Sequence, residues 1–171
     1  MGDATDLVGA YLTHLADHAI QDALACLAPD FELEFAGAGF TMTKDQAATA
    51  LEWDLGANGR LDWRLVDASP LRVTIQGSEG NAFLDLIGVG ELDFRSTFTV
   101  SPTGLISHQL HEVSWGEVSL SDAMIPLTAW ASEHEAEELA EIYPGGQMSY
   151  SAPMAVRWVR LAEKWKGATS P

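Results

Sequence analysis

The sequence predicts an α+β fold, with helices laid on one face of a curved antiparallel sheet and a helical extension behind it. Three observations predict it. Near the start, Leu7, Val8, Tyr11, Leu12 and Leu15 recur at helical spacing. Through the middle of the chain the period drops to two: Leu92, Phe94, Phe98 and Val100 alternate with Asp93, Arg95, Thr97 and Thr99. From about Ser121 the apolar residues return to helical spacing.

The first helix is expected over residues 6–17, capped by Thr5 or Asp6. A short second helix, 20–28, stops at Pro29. Residues 31–35 alternate strictly and turn Phe31, Leu33 and Phe35 inward. After a turn at 36–39, Thr43 and Gln46 have the spacing of a capping box. They open a helix that runs to about Leu55 and ends at Gly56 to Gly59. Strands follow at 61–65 and 71–75, and Pro70 between them marks a bulge, an edge position or a bend. Residues 77–80 read as a turn into a further strand over 82–89. The hairpin 91–115 organises the rest. Pro102 and Gly104 form its turn, and its second strand places Gln109, His111, Val113 and Trp115 on one parity. His108, Leu110 and Glu112 take the other, so the order is helix, helix, strand, helix, then four or five antiparallel strands.

In the extension, residues 121–143 read as one helix, with Pro126 in its first turn or dividing it. Pro144-Gly145-Gly146 breaks the chain, and 151–166 forms a second helix striped by Met154, Trp158, Leu161, Ala162 and Trp165. Glu133, Glu135, Glu137, Glu138 and Glu141 on the first oppose Arg157, Arg160, Lys164 and Lys166 on the second. An antiparallel helical hairpin would join these blocks. Exposed pairs contribute only about 0–1 kcal/mol each, so they would guide register while the tryptophans supply the docking energy. The expected organisation is a body over 1–118 and an extension over 119–171 packed on it.

The net charge of −16 repels phosphate backbones and anionic membranes, so neither nucleic acid nor a membrane surface is an expected partner. No apolar run reaches the ~18 residues of a membrane span. The first residues lack a basic signal-peptide region, and Asp6 stands where a myristoylation motif needs Ser or Thr, so a cytoplasmic location is expected. Cys26, the single cysteine, reads as a buried structural thiol. His14 and His18 have a zinc-compatible spacing but no accompanying Glu, and they avoid the apolar stripe; no metal is expected. Gly88-Val89-Gly90 is a lone GxG without a strand-to-helix context, and no cofactor is implied.

Tyr11-Leu12-Thr13-His14-Leu15, the stretch Ala23 to Leu33, the helix at 43–55 and the turn Phe98 to Ile106 resemble the NTF2-like superfamily, in particular its SnoaL-like and ketosteroid-isomerase-like branch. The resemblance covers about residues 5–118. It implies a strongly bent sheet wrapped on the helices as a cone, an apolar pocket at the open end, and a homodimer through the sheet's outer face. It also implies a role for Tyr11, which matches the family's oxyanion-binding tyrosine. The isomerase's general-base aspartate falls at Phe35 and its second oxyanion donor at Ser96. A steroid-isomerase mechanism needs a base beside the acidic C–H, and Phe35 cannot serve.

Read from the residues themselves, Ser96 is the one polar residue on the apolar parity of its strand. His111 and Gln109 enter the pocket if their parity faces inward; otherwise His108 does. Asp85 lies among apolar neighbours and is either an inward acid–base group or an outward carboxylate. The expected function is binding of a small, mostly apolar organic molecule among Phe35, Phe94, Phe98 and Trp63, with Ser96 and Gln109 as polar contacts. Cofactor-independent isomerisation, cyclisation or dehydration would use His111, Asp85 and Tyr11. The alternative is a non-catalytic interaction module with a filled cone. The extension is left open as lid, core or interface.

Overall fold

The structure, a computed structural model, describes residues 3–37, 39–114, 116 and 118–169. Helix α1 spans Ala4–Ala16 and is capped not by Thr5 or Asp6 but by Asp3, whose carboxylate accepts from the Thr5 amide. Helix α2 is shorter than its sequence pattern, Ile20–Ala25, because strand β1 begins at Leu27 and runs to Phe35. Pro29 therefore lies inside a strand. It falls where the pairing with the last strand jumps from Leu27 to Glu32, so its missing N–H leaves no ladder bond unmade. A three-residue strand β2, Thr41–Thr43, too short for any pattern to signal, pairs with β1. Helix α3, Lys44–Gly56, opens on the expected capping box: the Gln46 amide donates to Thr43 Oγ1 and the Thr43 amide to Gln46 Oε1.

Strands β3, Arg60–Ser69, and β4, Arg72–Gly80, form one hairpin, and Pro70 sits in its two-residue turn. Residues 77–80, expected as a turn, are the end of β4. The expected strand over 82–89 is instead helix α4, Ala82–Ile87. Asn81 caps it through the Leu84 amide, and Gly88 closes it at φ 84°. Phe83 and Ile87 are four apart. That spacing satisfies both periods, and the cap decides between them. Strands β5, Leu92–Val100, and β6, Ile106–Ser114, complete the sheet; Trp115 lies outside the described residues. The strand order is β2-β1-β6-β5-β4-β3. Four strands follow α3, as expected, and β2 is the addition; β1 pairs parallel to β6 while every other pair is antiparallel.

The curved sheet packs its inner face on α1 and α2. Phe94, Phe98, Val73, Ile75 and Phe31 meet Val8, Tyr11, Leu12 and Ala23 in a first core. At Gly77 a Cβ atom would run into the backbone of Asp62 and Trp63, so only glycine allows β3 and β4 to approach so closely.

The extension is three helices rather than a hairpin: α5 Leu120–His134, α6 Ala136–Ile142 and α7 Ala152–Thr169. The expected single helix breaks at Glu135, whose backbone leaves the helical region (φ −137°, ψ 40°). Leu127, Ala131, Ile142, Ala155, Trp158 and Leu161 form a second core with Trp53 and Ala57 of α3 and with Phe83 and Ile87 of α4. The charge blocks meet as expected. Arg157 grips both oxygens of Glu138 at 2.8 Å and reaches Glu141 at 2.6 Å, and Lys164 reaches Glu135 at 2.8 Å. Among the described residues no helix is long and apolar enough to cross a membrane.

The hydrogen bonds from Arg157 hold the Glu138 carboxyl below its usual range. A depressed carboxyl stabilises the fold above its unfolded pKa and loses that contribution as pH falls through the folded value. Arg157→Gln should therefore lower the melting temperature by a few degrees at pH 7. The gap to the parent should close as pH falls below the ordinary glutamate range, which thermal melts across pH will read.

Candidate functional site

β6 decides which imidazole enters the cone. Its pairing sets His111 opposite Ser96 and Gln109 opposite Phe98, so Gln109 and His111 face inward and are buried. His108 faces the other side, 3.3 Å from Glu34. The next strand pair carries the same level onward: Ser96 lies opposite Ile75, and Phe35 lies opposite His111 on the far side.

The buried polar groups form a directed chain. His111 Nε2 lies 3.2 Å from Glu79 Oε1, and Nδ1 lies 2.7 Å from Ser96 Oγ. A carboxylate only accepts, so Nε2 carries the proton and donates to Glu79. Nδ1 is then the acceptor for the Ser96 hydroxyl. Gln109 Nε2 in turn donates to Ser96 Oγ at 3.2 Å, which leaves that hydroxyl proton free for His111. The ring is held by Phe35 edge-on at 5.5 Å and Phe94 tilted against it at 5.4 Å.

A second carboxyl lies in the same cavity. Asp54 is in the last turn of α3, and its Oδ1 accepts from Asn81 Nδ2 at 3.2 Å. The amide orientation of Asn81 is fixed independently, because its Oδ1 already caps α4. Burial, and then the nearby Glu79 carboxylate, push Asp54 up to about 6; the Asn81 hydrogen bond and His18 act in the opposite sense. An acid so placed is still protonated to about a tenth at pH 7, far more than an ordinary carboxyl. Tyr11 also borders the cavity and packs edge-on against Phe98 at 5.9 Å. Burial, and less so Cys26, raise its hydroxyl well above the usual value, which makes it a hydrogen-bond donor rather than a base.

These groups enclose a cavity of about 220 Å³ whose apolar walls include Leu33, Phe35, Leu51, Leu61 and Leu84. His111, Gln109 and Tyr11, singled out in the sequence, all border it, as does Phe35. Ser96, Phe94, Phe98 and Trp63 do not. Ser96 stands behind His111, and the three aromatics belong to the first core. Asp85 is placed elsewhere: on a helix it points to solvent and pairs with Arg60 at 2.9 Å. Its apolar neighbours are the other faces of a helix, not the two sides of a strand. Cys26 is half-buried at the end of α2 rather than buried. His18, off the apolar stripe of the first helix, takes a positive φ and turns back to bond the Gly59 carbonyl at 2.9 Å beside the cavity.

Asp54, Glu79 and Asn81 escaped the sequence reading, yet two carried signals. Asp54 continues the stripe Ala47, Ala50, Leu51 on α3, so it is the charge on an apolar face. Glu79 continues the parity of Val73, Ile75 and Gly77, which a turn placed at 77–80 concealed. A larger concavity of about 730 Å³ lies on the outer face of the sheet. It is open and lined by Asp62, Arg64, Asp93, Arg95 and Glu112, so it offers an apolar ligand little to bury against. Among the described residues no group of three or more His, Cys, Asp or Glu is placed to hold a metal ion.

No protein-family model matches the sequence, and no curated protein is significantly similar to it. Solved structures do match. A ketosteroid isomerase candidate from Kribbella flavida superposes with a TM-score of 0.56 at 17% identity, over 68% of this chain and 81% of its own. The epoxide hydrolase/cyclase-like enzyme SalBIII, of pyran ring formation in the polyether salinomycin, gives 0.56 at 14% identity, over 67% and 91%. An NTF2-like protein of unknown function from Cytophaga hutchinsonii gives 0.52 at 10% identity, over 68% and 92%. The chain has the NTF2-like fold. As many as 309 solved chains match it, so the fold by itself selects no activity.

Two outcomes test this geometry. A folded-state pKa raised above the unfolded value means that Asp54 favours the fold at low pH and costs stability as pH rises from about 4 to about 6. A shift of two units corresponds to about 3 kcal/mol at most. Asp54→Asn should therefore raise the melting temperature at pH 7.5 and flatten the curve between pH 4 and 7; equal destabilisation at every pH would contradict the assignment. In Ser96→Ala the Nε2–H tautomer of His111 should persist, held by Glu79, while Nδ1 loses its hydrogen-bond donor and its ¹⁵N resonance moves downfield in long-range ¹H–¹⁵N spectra.

Proposed function

We propose that the protein binds a small, mostly apolar organic molecule in the cone cavity and performs cofactor-independent acid–base chemistry on it, of the isomerase, cyclase or dehydratase type. One observation carries this reading: a protonated-type carboxyl, Asp54, and a Glu79–His111 pair face the same small apolar cavity. A carboxyl raised by burial beside a second, partly exposed carboxylate makes an acid and a base available together.

The roles follow from position. Glu79, with its side chain 35% exposed, takes a proton from the bound molecule, and His111 steadies the carboxylate through Nε2–H. Asp54 donates to the oxygen that gains electron density, and Tyr11 supplies a second hydrogen bond there. Ser96 and Gln109 fix the histidine tautomer without touching the ligand. Aspartate at the position of Phe35 is not needed, since the base enters from β4 in place of β1. A steroid is too large: the cavity is below the range of about 300–1,000 Å³ that holds drug-sized ligands. The neighbours named for isomerase and for epoxide hydrolase/cyclase chemistry support the same class. The outer trough, with acidic and basic groups interspersed, is compatible with a second copy pairing through the sheet.

The test is a thermal-shift screen against small phenols, cyclic ketones, unsaturated acids and ring-closing polyketide fragments, with steroids as the oversized control. A ligand at 100 times its Kd adds about 2.7 kcal/mol, several degrees in Tm. Glu79→Gln should keep the shift and lose turnover by at least about a hundredfold. No shift with any small compound would favour a filled cone and an interaction role.

A further inference from the structure

Asp54 and Asn81, the hydrogen-bonded pair in the cavity wall, sit on two elements that turn their other faces away from the cone. Trp53 and Ala57 of α3, and Phe83 and Ile87 of α4, belong to the second core with α5, α6 and α7. An unbroken aromatic chain crosses that core. Tyr150, Trp53, Phe83, Trp158 and Tyr143 meet edge-to-face in sequence, with ring centroids 5.4, 5.9, 5.6 and 5.5 Å apart. Such contacts have preferred geometry as well as area, so they fix orientation. Two residues after Asp54, a Cβ on Gly56 would strike the backbone of Ala152, so the start of α7 rests directly on the end of α3. Toward the cavity α3 presents mainly Ala47, Ala50 and Leu51, a shallow face; its largest apolar anchor, Trp53, is on the other side. Among the described residues, none that borders the cavity comes from the extension.

We infer that the C-terminal helices are a buttress for the site: by holding α3 and α4 from behind they keep Asp54 and Asn81 hydrogen-bonded in the cavity wall, and Gly56 and Trp158 are positioning residues. The inference rests on the reading of Asp54 as the acid. It separates the extension from a lid, which would have to border the cavity, and from a detachable appendage, which would leave α3 unchanged when loosened. Displacing α3 by an ångström would part the Asp54–Asn81 bond and admit water beside the carboxyl.

The experiment compares the full chain with Trp158→Phe, Gly56→Ala and a control in the first core, Val8→Ala. Trp158→Phe is the mild variant, because the ring N–H it removes is buried without a partner. Gly56→Ala is the stronger one, since backbone has to move to admit the methyl. The side-chain amide signals of Asn81 report the bond, through their dispersion and hydrogen exchange, and the carboxyl carbon of Asp54 reports its titration. In Trp158→Phe and Gly56→Ala the Asn81 amide protons should exchange about tenfold faster than in Val8→Ala at matched melting temperature. The Asp54 midpoint should move down from about 6. Exchange no faster than in the control overturns the buttress and leaves the extension a general stabiliser. A parent midpoint in the ordinary carboxylate range, with Asn81 exchange still responding to the two variants, instead removes the acid and keeps the buttress.

Discussion

The register that lines up Phe35, His111, Ser96 and Ile75 across β1, β6, β5 and β4 is the constraint on which the site depends. Because side chains alternate with a period of two, a slip of one residue in β6 would bring His108 inward and expel His111. It would also part Ser96 from the ring it orients. Apolar neighbours fix the face that β6 pairs against: a slip of β5 would turn Phe94, Phe98 and Val100 to solvent. The chemistry of the cavity is thus held by hydrophobic burial that has no chemical part in it, and the polar chain adds orientation to a position already chosen.

Glu79 illustrates how far that control reaches. It lies beyond Gly77, where β4 runs closest to β3, and still keeps the inner parity of Val73 and Ile75. A larger residue at 77 would force the two backbones apart and carry Glu79 away from His111. Glycine in a strand weakens the ladder and leaves no side chain to pack. Here it sits at the level where the sheet must curve to close one side of the cavity.

Most of the body was legible because its elements obey one period each. The capping box of Thr43 and Gln46, the parity of β5 and the turn at Gly104 all have local causes, and local causes are written locally. The failures share a physical origin. Phe83 and Ile87 fit a strand and a helix equally, and only the tertiary contact with Trp158 and the Asn81 cap select the helix. Pro29 reads as a helix stop, yet the ladder skips it. In the site, inward histidine and glutamine could be proposed from parity, but their partners arrive from α3 and β4, and no sequence separation announces a contact between residues 54 and 81 or 79 and 111. Pairings of that kind exist only once the sheet has curved.

The strongly acidic chain places two more acids inside its own cavity, and the arrangement is self-limiting in a useful way. Asp54 and Glu79 cannot both be charged in a small, poorly hydrated space without penalty, and among the described residues neither forms an ion pair with a lysine or arginine. The penalty falls on the more buried of the two, Asp54, while Glu79 accepts the His111 N–H. In the proposed function, the asymmetry between a carboxyl hydrogen-bonded by a neutral amide and one hydrogen-bonded by an imidazole would divide the roles of acid and base. It also explains why the cavity has to be small. A wider cone would admit water between the two carboxyls, raise the local dielectric and let both ionise, and the division of roles would be lost. With the sheet on one side and the second core behind α3 on the other, neither wall is free to retreat, so the size of the cavity and the separation of the two acids are consequences of the same packing.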